Sequence, residues 1–161
     1  MSEANPVELL KAACNNAYDK NPESCSHAVW DVIKGMVNPQ ESYRQANELI
    51  DYLSANWKKI PLDAVDGLAN KGVVVVAGLK GTNHGHVIVV YPGPRILNGG
   101  YEYLWKKNKM LMLQGTQKYP PCLSTSIGSW PGAMSKGDKT VWDPWANDEV
   151  FAQVEYWTPK A

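Results

Sequence analysis

The amino-acid sequence predicts an α+β fold, with helices in the first half of the chain packed on an antiparallel sheet built from the second. Three observations carry this. From Val7 to Asn70 the apolar residues recur at intervals of three and four, the repeat of a helix with one buried face. Past Gly72 the repeat gives way to short β-branched runs, "VVVVAGL" and "HVIVVY". No repeat, low-complexity tract or linker separates the two halves, so residues 1–161 are expected to form one domain.

The elements follow in order. Val7, Leu10, Cys14 and Tyr18 mark a first helix, with Pro6 in its first turn. Asn21-Pro22 breaks it, and Ser24 is a suitable N-cap for a second helix from Cys25 to about Met36. A third, from about Gln40 to Trp57, shows a stripe of Tyr43, Ala46, Ile50, Leu53 and Trp57. A short fourth helix is expected from Ala64 to Asn70, stopped by Gly72. Residues 73–79 and 86–91 then read as an antiparallel hairpin turning at "GTNHG". Residues 101–113 fit strand or helix equally, 122–127 and 150–157 read as further strands, and the turn-rich stretch 128–148 as loop.

Composition narrows the function. The chain carries 16 basic and 16 acidic side chains, so it lacks the basic excess expected of a nucleic-acid binder. No stretch reaches the length of a membrane span, and the start of the chain has no run resembling a secretory signal, so neither membrane insertion nor signal-directed export is expected. The 7 Trp and 8 Tyr against 1 Phe favour rings with a polar handle, which suit grooves that hold sugars or peptides as well as cores. The 3 cysteines, Cys14, Cys25 and Cys122, leave at least one thiol free.

Cys25 is the informative one. It stands at the start of the second helix, where unpaired N–H groups and the helix dipole favour a thiolate and lower the thiol pKa. Yet it shares a helix face with Val29, Val32 and Met36, which suits a buried apolar filler equally well. His86 opens a strand and shares its face with Ile88 and Val90; if that face meets the Cys25 helix, thiol and imidazole form a nucleophile–base pair. His84 has the same parity and is an alternative base, while His27 turns away from the thiol along the helix. A metal site using His84 and His86 lacks the four-ligand spacing that zinc requires, so no metal or cofactor is expected.

These residues carry a resemblance. "ACNNAYDKNPESCS", "QANELIDYLSANW", "GVVVVAGLKGTNHGHVIVVYPGP", "QKYPPCLSTSIG" and "KTVWDPW" together resemble papain-like amidases of the NlpC type, most closely the first family of type VI secretion amidase effectors. The resemblance implies a papain-like fold and hydrolysis of peptidoglycan stem peptides at the bond between γ-D-glutamate and meso-diaminopimelate. It implies Cys25 as nucleophile, His86 rather than His84 as base, and Ser124 as the third polar group, with Cys122 and Thr125 as neighbours. Tyr18, Asn21 and Ser26 are the expected substrate or oxyanion contacts. The resemblance further implies a monomer delivered to a target cell's periplasm and neutralised at home by a cognate immunity protein.

The chain departs from the pattern in reading Ser24-Cys25-Ser26-His27 where the family tends to have Asp-Cys-Ser-Gly. It also carries an excursion over residues 95–118, bearing Tyr101, Tyr103, Trp105, Lys106, Lys107 and Lys109, which reads as a flap over the groove or as a solvated loop. A non-catalytic peptidoglycan-binding module and an acyltransferase or transpeptidase using the same pair are the alternatives.

Overall fold

The computed structural model describes residues 5–105, 109–112, 115 and 117–160. Helices α1 (Pro6–Lys20), α2 (Cys25–Met36) and α3 (Ala46–Asn56) come first, followed by strand β1 (Lys58–Ile60) and helix α4 (Leu62–Ala69). Then come β2 (Val76–Leu79), β3 (His86–Val90), β4 (Ile96–Leu97), β5 (Glu102–Trp105), β6 (Lys109–Met112), β7 (Lys118–Tyr119), β8 (Pro121–Ser124) and β9 (Ser135–Thr140). Helix α5 (Asp148–Phe151) and strand β10 (Glu155–Thr158) end the order. The α+β arrangement expected from the sequence is therefore present: a six-stranded antiparallel sheet in the order β1-β10-β2-β3-β8-β9, with helices packed on it.

Alternation along the central strand β3 divides the core. Val87 and Val89 face α1, α2 and α3, in a cluster with Leu10, Cys14, Val29, Val32 and Leu53. Ile88 and Val90 face the other way, against Val65 of α4, Phe151 of α5 and Tyr156. The face shared by His86, Ile88 and Val90 is thus the one turned away from α2, contrary to the expectation from strand parity.

Helix starts follow their caps. Asn5 Oδ1 accepts from Val7 N at 2.8 Å with Pro6 in the first turn, and Ser24 Oγ accepts from His27 N at 3.3 Å. Helix α3 begins at Ala46 rather than near Gln40, because the segment before it has better partners outside a helix. Asn38 Oδ1 takes the N–H of Gln40 at 3.0 Å, and Glu41 receives Trp30 Nε1 on its carbonyl at 2.8 Å and Tyr52 Oη on its carboxylate at 3.1 Å. Tyr43 consequently leaves the expected stripe, whereas Ala46, Ile50, Leu53 and Trp57 are buried as expected.

The second half differs more from the expectation. The stretch 128–148 contains β9, an edge strand whose sequence Ser-Lys-Gly-Asp-Lys-Thr carries no apolar alternation. Edge strands keep charged side chains on their open side, and β9 also joins β8 through a bulge between Pro121 and Leu123. Residues 150–157 divide into the end of α5 and β10, with Asn147 Oδ1 capping α5 by accepting from Val150 N at 3.0 Å. Within the ambiguous residues 101–113, β5 and β6 pair antiparallel. The expected flap contacts of Lys106 and Lys107 lie outside the described residues. Among the described residues no helix is long and apolar enough to cross a membrane.

Candidate active site

Cys25 is the first residue of α2 and His86 the first of β3, and both line one cleft of ≈ 790 Å³. One wall is polar, made by Ser24 and Ser26 of the α2 start, Tyr43, and the β2–β3 loop. The lining also includes the apolar and aromatic side chains of Ile127, Trp130, Pro144 and Trp145. Although Cys25 comes from the helical side of the sheet and His86 from the other face, both sit at the sheet end, where β3 begins beneath the start of α2.

The imidazole is held from two sides. His86 Nε2 lies 2.9 Å from Ser124 Oγ, and the Trp145 ring meets the imidazole edge-on with centroids 5.6 Å apart at 78°. The β3–β8 register pairs Val89 with Leu123 and Val90 with Cys122, so by continuation Ser124 stands opposite Ile88, a diagonal neighbour of His86 on the same face. Burial pushes the imidazole pKa down from 6.5 to about 4, so the ring is neutral near pH 7.

The thiol is half-buried. Burial pushes the Cys25 pKa up, and backbone hydrogen bonds from Val87, Ser26 and Cys25 itself pull it back down in part. The direction is opposite to that expected from the helix start alone: desolvation outweighs the helix-end donors. Cys25 and His86 therefore rest as neutral thiol and neutral imidazole.

Beside the thiol, Ser26 Oγ lies 2.7 Å from Tyr43 Oη and Ser24 Oγ lies 2.7 Å from His27 Nδ1. The exposed His27 ring stacks on Tyr43 with centroids 4.1 Å apart. Tyr18 and Asn21, the other expected oxyanion contacts, do not line the cleft. Asn21 is spent on capping α1, donating through Nδ2 to Ala17 O at 3.0 Å and to Asp31 Oδ2 at 2.8 Å, while Tyr18 packs against the helical core. That expectation is corrected: the end of α1 aims both residues elsewhere.

Of the neighbours weighed with Ser124, Cys122 is fully buried and donates its thiol to Thr140 O at 3.3 Å, and Thr125 is fully buried. His84 is exposed on the cleft rim. All three cysteines are free, and among the described residues no three His, Cys, Asp or Glu side chains converge as metal ligands.

Sequence reasoning missed Tyr43, Asn47 and Trp145 as cleft residues. Trp145 and Asn47 had a signal, Asn47 lying in the "QANELIDYLSANW" stretch and Trp145 closing the turn at "KTVWDPW". That turn is built on Asp143, a buried carboxylate that accepts from Gly99 N at 2.8 Å, Thr140 N at 2.8 Å and Thr140 Oγ1 at 2.9 Å. The turn then carries Pro144 and Trp145 into the cleft wall.

No protein-family model matches the chain. Compared with characterised proteins, it is 33% identical over 146 residues to the peptidoglycan amidase Tse1 of Pseudomonas aeruginosa, a match spanning 86% of this chain and 81% of that one. At that identity and coverage the chain belongs to the family of the peptidoglycan amidase Tse1.

Proposed function

We propose that this protein is a cysteine amidase that hydrolyses peptidoglycan stem peptides at the γ-D-glutamyl–meso-diaminopimelate bond. The observation that carries the reading is the placement of Cys25 and His86 on one open cleft, with His86 Nε2 engaged by Ser124. The kinship with a peptidoglycan amidase supports the substrate.

In this reading His86 carries its proton on Nε2. With Nε2–H donating to Ser124 Oγ, the Nδ1 lone pair is left to take the thiol proton as Sγ attacks the scissile carbonyl. Backbone N–H groups at the start of α2 donate to the developing oxyanion, each such donor lowering the barrier by about 3 kcal/mol. Protonated His86 gives its proton to the leaving amine as the C–N bond breaks, leaving a thioester on Cys25. Water, deprotonated by His86, then cleaves the thioester and restores the thiol. Since Ser124 carries no charge, it orients the imidazolium without the electrostatic support a carboxylate would give. No step calls for a metal or cofactor.

By resemblance the same reading makes the protein a papain-like domain acting as a monomer, a type VI secretion effector delivered to a rival's periplasm and held inactive at home by an immunity protein. Mass spectrometry of muropeptides after digestion by wild type and Cys25→Ala tests the chemistry. New amino termini on diaminopimelate, produced by the wild type alone, are expected. Equal release by both proteins removes Cys25 as nucleophile, binding without release leaves a peptidoglycan-binding module, and a new cross-link identifies a transpeptidase.

A further inference from the structure

We propose that Asn47, on the first turn of α3, is a positioning residue that holds the β2–β3 loop (residues 80–85) in the shape that receives the substrate peptide. This rests on the amide-hydrolase reading of the cleft and adds what sets its rim. The Asn47 carboxamide grips one residue of the loop at both polar ends: Nδ2 donates to Gly81 O at 3.0 Å, and Gly81 N donates to Oδ1 at 3.2 Å. A side chain thus supplies the two-way pairing that a strand would otherwise give. One turn further along α3, Asp51 pairs with Lys80.

The loop is shaped for this grip. A Cβ on Gly81 would lie 2.1 Å from the His84 carbonyl oxygen, and one on Gly85 would lie 2.3 Å from Asn47 Oδ1 and 2.9 Å from Leu79 O. The chain therefore folds back on itself and onto Asn47 with no space for a side chain at either position. Residues 80–84 are exposed, so polar ties rather than a buried apolar anchor fix the loop. Yet Lys80, Gly81, Asn83, His84 and Gly85 all line the cleft that Cys25 and His86 line.

An untethered loop must be ordered each time substrate binds, and that entropy is subtracted from affinity. His86 is secured independently, by its pairing with Leu79 and by Ser124. Releasing the loop therefore weakens substrate binding while leaving the proton transfer in place.

The test is steady-state hydrolysis of a purified disaccharide-tetrapeptide by wild type, Asn47→Ala, Asn47→Asp and Gly85→Ala, with peptide affinity measured in the Cys25→Ala background. Asn47→Asp keeps an acceptor for Gly81 N and sets a carboxylate against Gly81 O; Gly85→Ala sets a methyl group against Asn47 Oδ1 and so opposes the grip from the loop side. Loss of two neutral hydrogen bonds predicts a KM about tenfold higher with kcat within about twofold, and a matching loss of affinity. An unchanged KM, or a fall in kcat alone, overturns the role of Asn47 while leaving the hydrolase reading intact. A wild type that neither cleaves nor binds the peptide overturns both.

Discussion

His86 Nε2 and Ser124 Oγ lie 2.9 Å apart, on neighbouring strands of the central sheet and on one face of it. The hydroxyl is buried, so the contact does not compete with bulk water. The serine thereby fixes the orientation of the imidazole ring.

Removing that hydroxyl frees the imidazole to adopt either tautomer and to rotate. Ser124→Ala is expected to lower kcat about fivefold with little change in KM, the loss of one orienting hydrogen bond of about 1 kcal/mol. Steady-state kinetics on the same peptide checks it, and an unchanged kcat removes Ser124 from the mechanism.

Burial of His86 links stability to pH. The ring titrates near 6.5 when unfolded and at about 4 when folded, so between those values the unfolded chain binds more protons. Stability from this group is intact above pH 6.5 and is lost progressively as pH falls toward about 4, by up to about 3 kcal/mol. Denaturant melts from pH 7 to pH 4 should show the decline for wild type and a shallower one for His86→Gln. Parallel declines would place the effect on other groups.

The three thiols should separate by access. Cys14 and Cys122 are 0% exposed and burial drives both pKa values far upward, whereas Cys25 opens onto the cleft. Iodoacetamide with the folded protein at pH 8 is expected to give one adduct, on Cys25, and three only after denaturation. Peptide mapping reads the outcome; early modification of Cys14 or Cys122 contradicts the packing described.

Asp143 holds the turn that carries Trp145 onto His86, and its carboxylate satisfies donors from Gly99 and Thr140 inside the protein. Asp143→Ala leaves those donors without acceptors and is expected to cost about 3 kcal/mol or more in denaturant unfolding, with Asp143→Asn retaining part of it. Equal stability of Asp143→Ala and wild type would show that the donors find new partners.

Much of this molecule is legible in its sequence because local chemistry and global packing agree. Ser24 before Cys25 reads as a cap and is one; "HVIVVY" reads as a buried strand and lies in the middle of the sheet. Legibility fails where distant residues decide. Tyr43 continues a helical stripe on paper, but hydrogen bonds to Glu41 and Asn38 hold its segment out of α3 and bring its hydroxyl to Ser26. Strand β9 lacks alternation because an edge needs none. Strand parity gives the face of His86 relative to its neighbours, but which face meets α2 depends on the whole topology. The direction of the Cys25 pKa shift was missed for a related reason: a helix start is visible in the sequence, whereas the depth of its burial is not.

Cys25 and His86 are drawn from opposite sides of a six-stranded sheet, the sulfur from the helical layer and the ring from the layer holding α4 and α5. Neither layer alone contains both groups, and both depend on β3 being seated between β2 and β8. On the proposed mechanism, a chain in which β3 is not yet seated cannot carry out the hydrolysis, because thiol and imidazole then share no cleft.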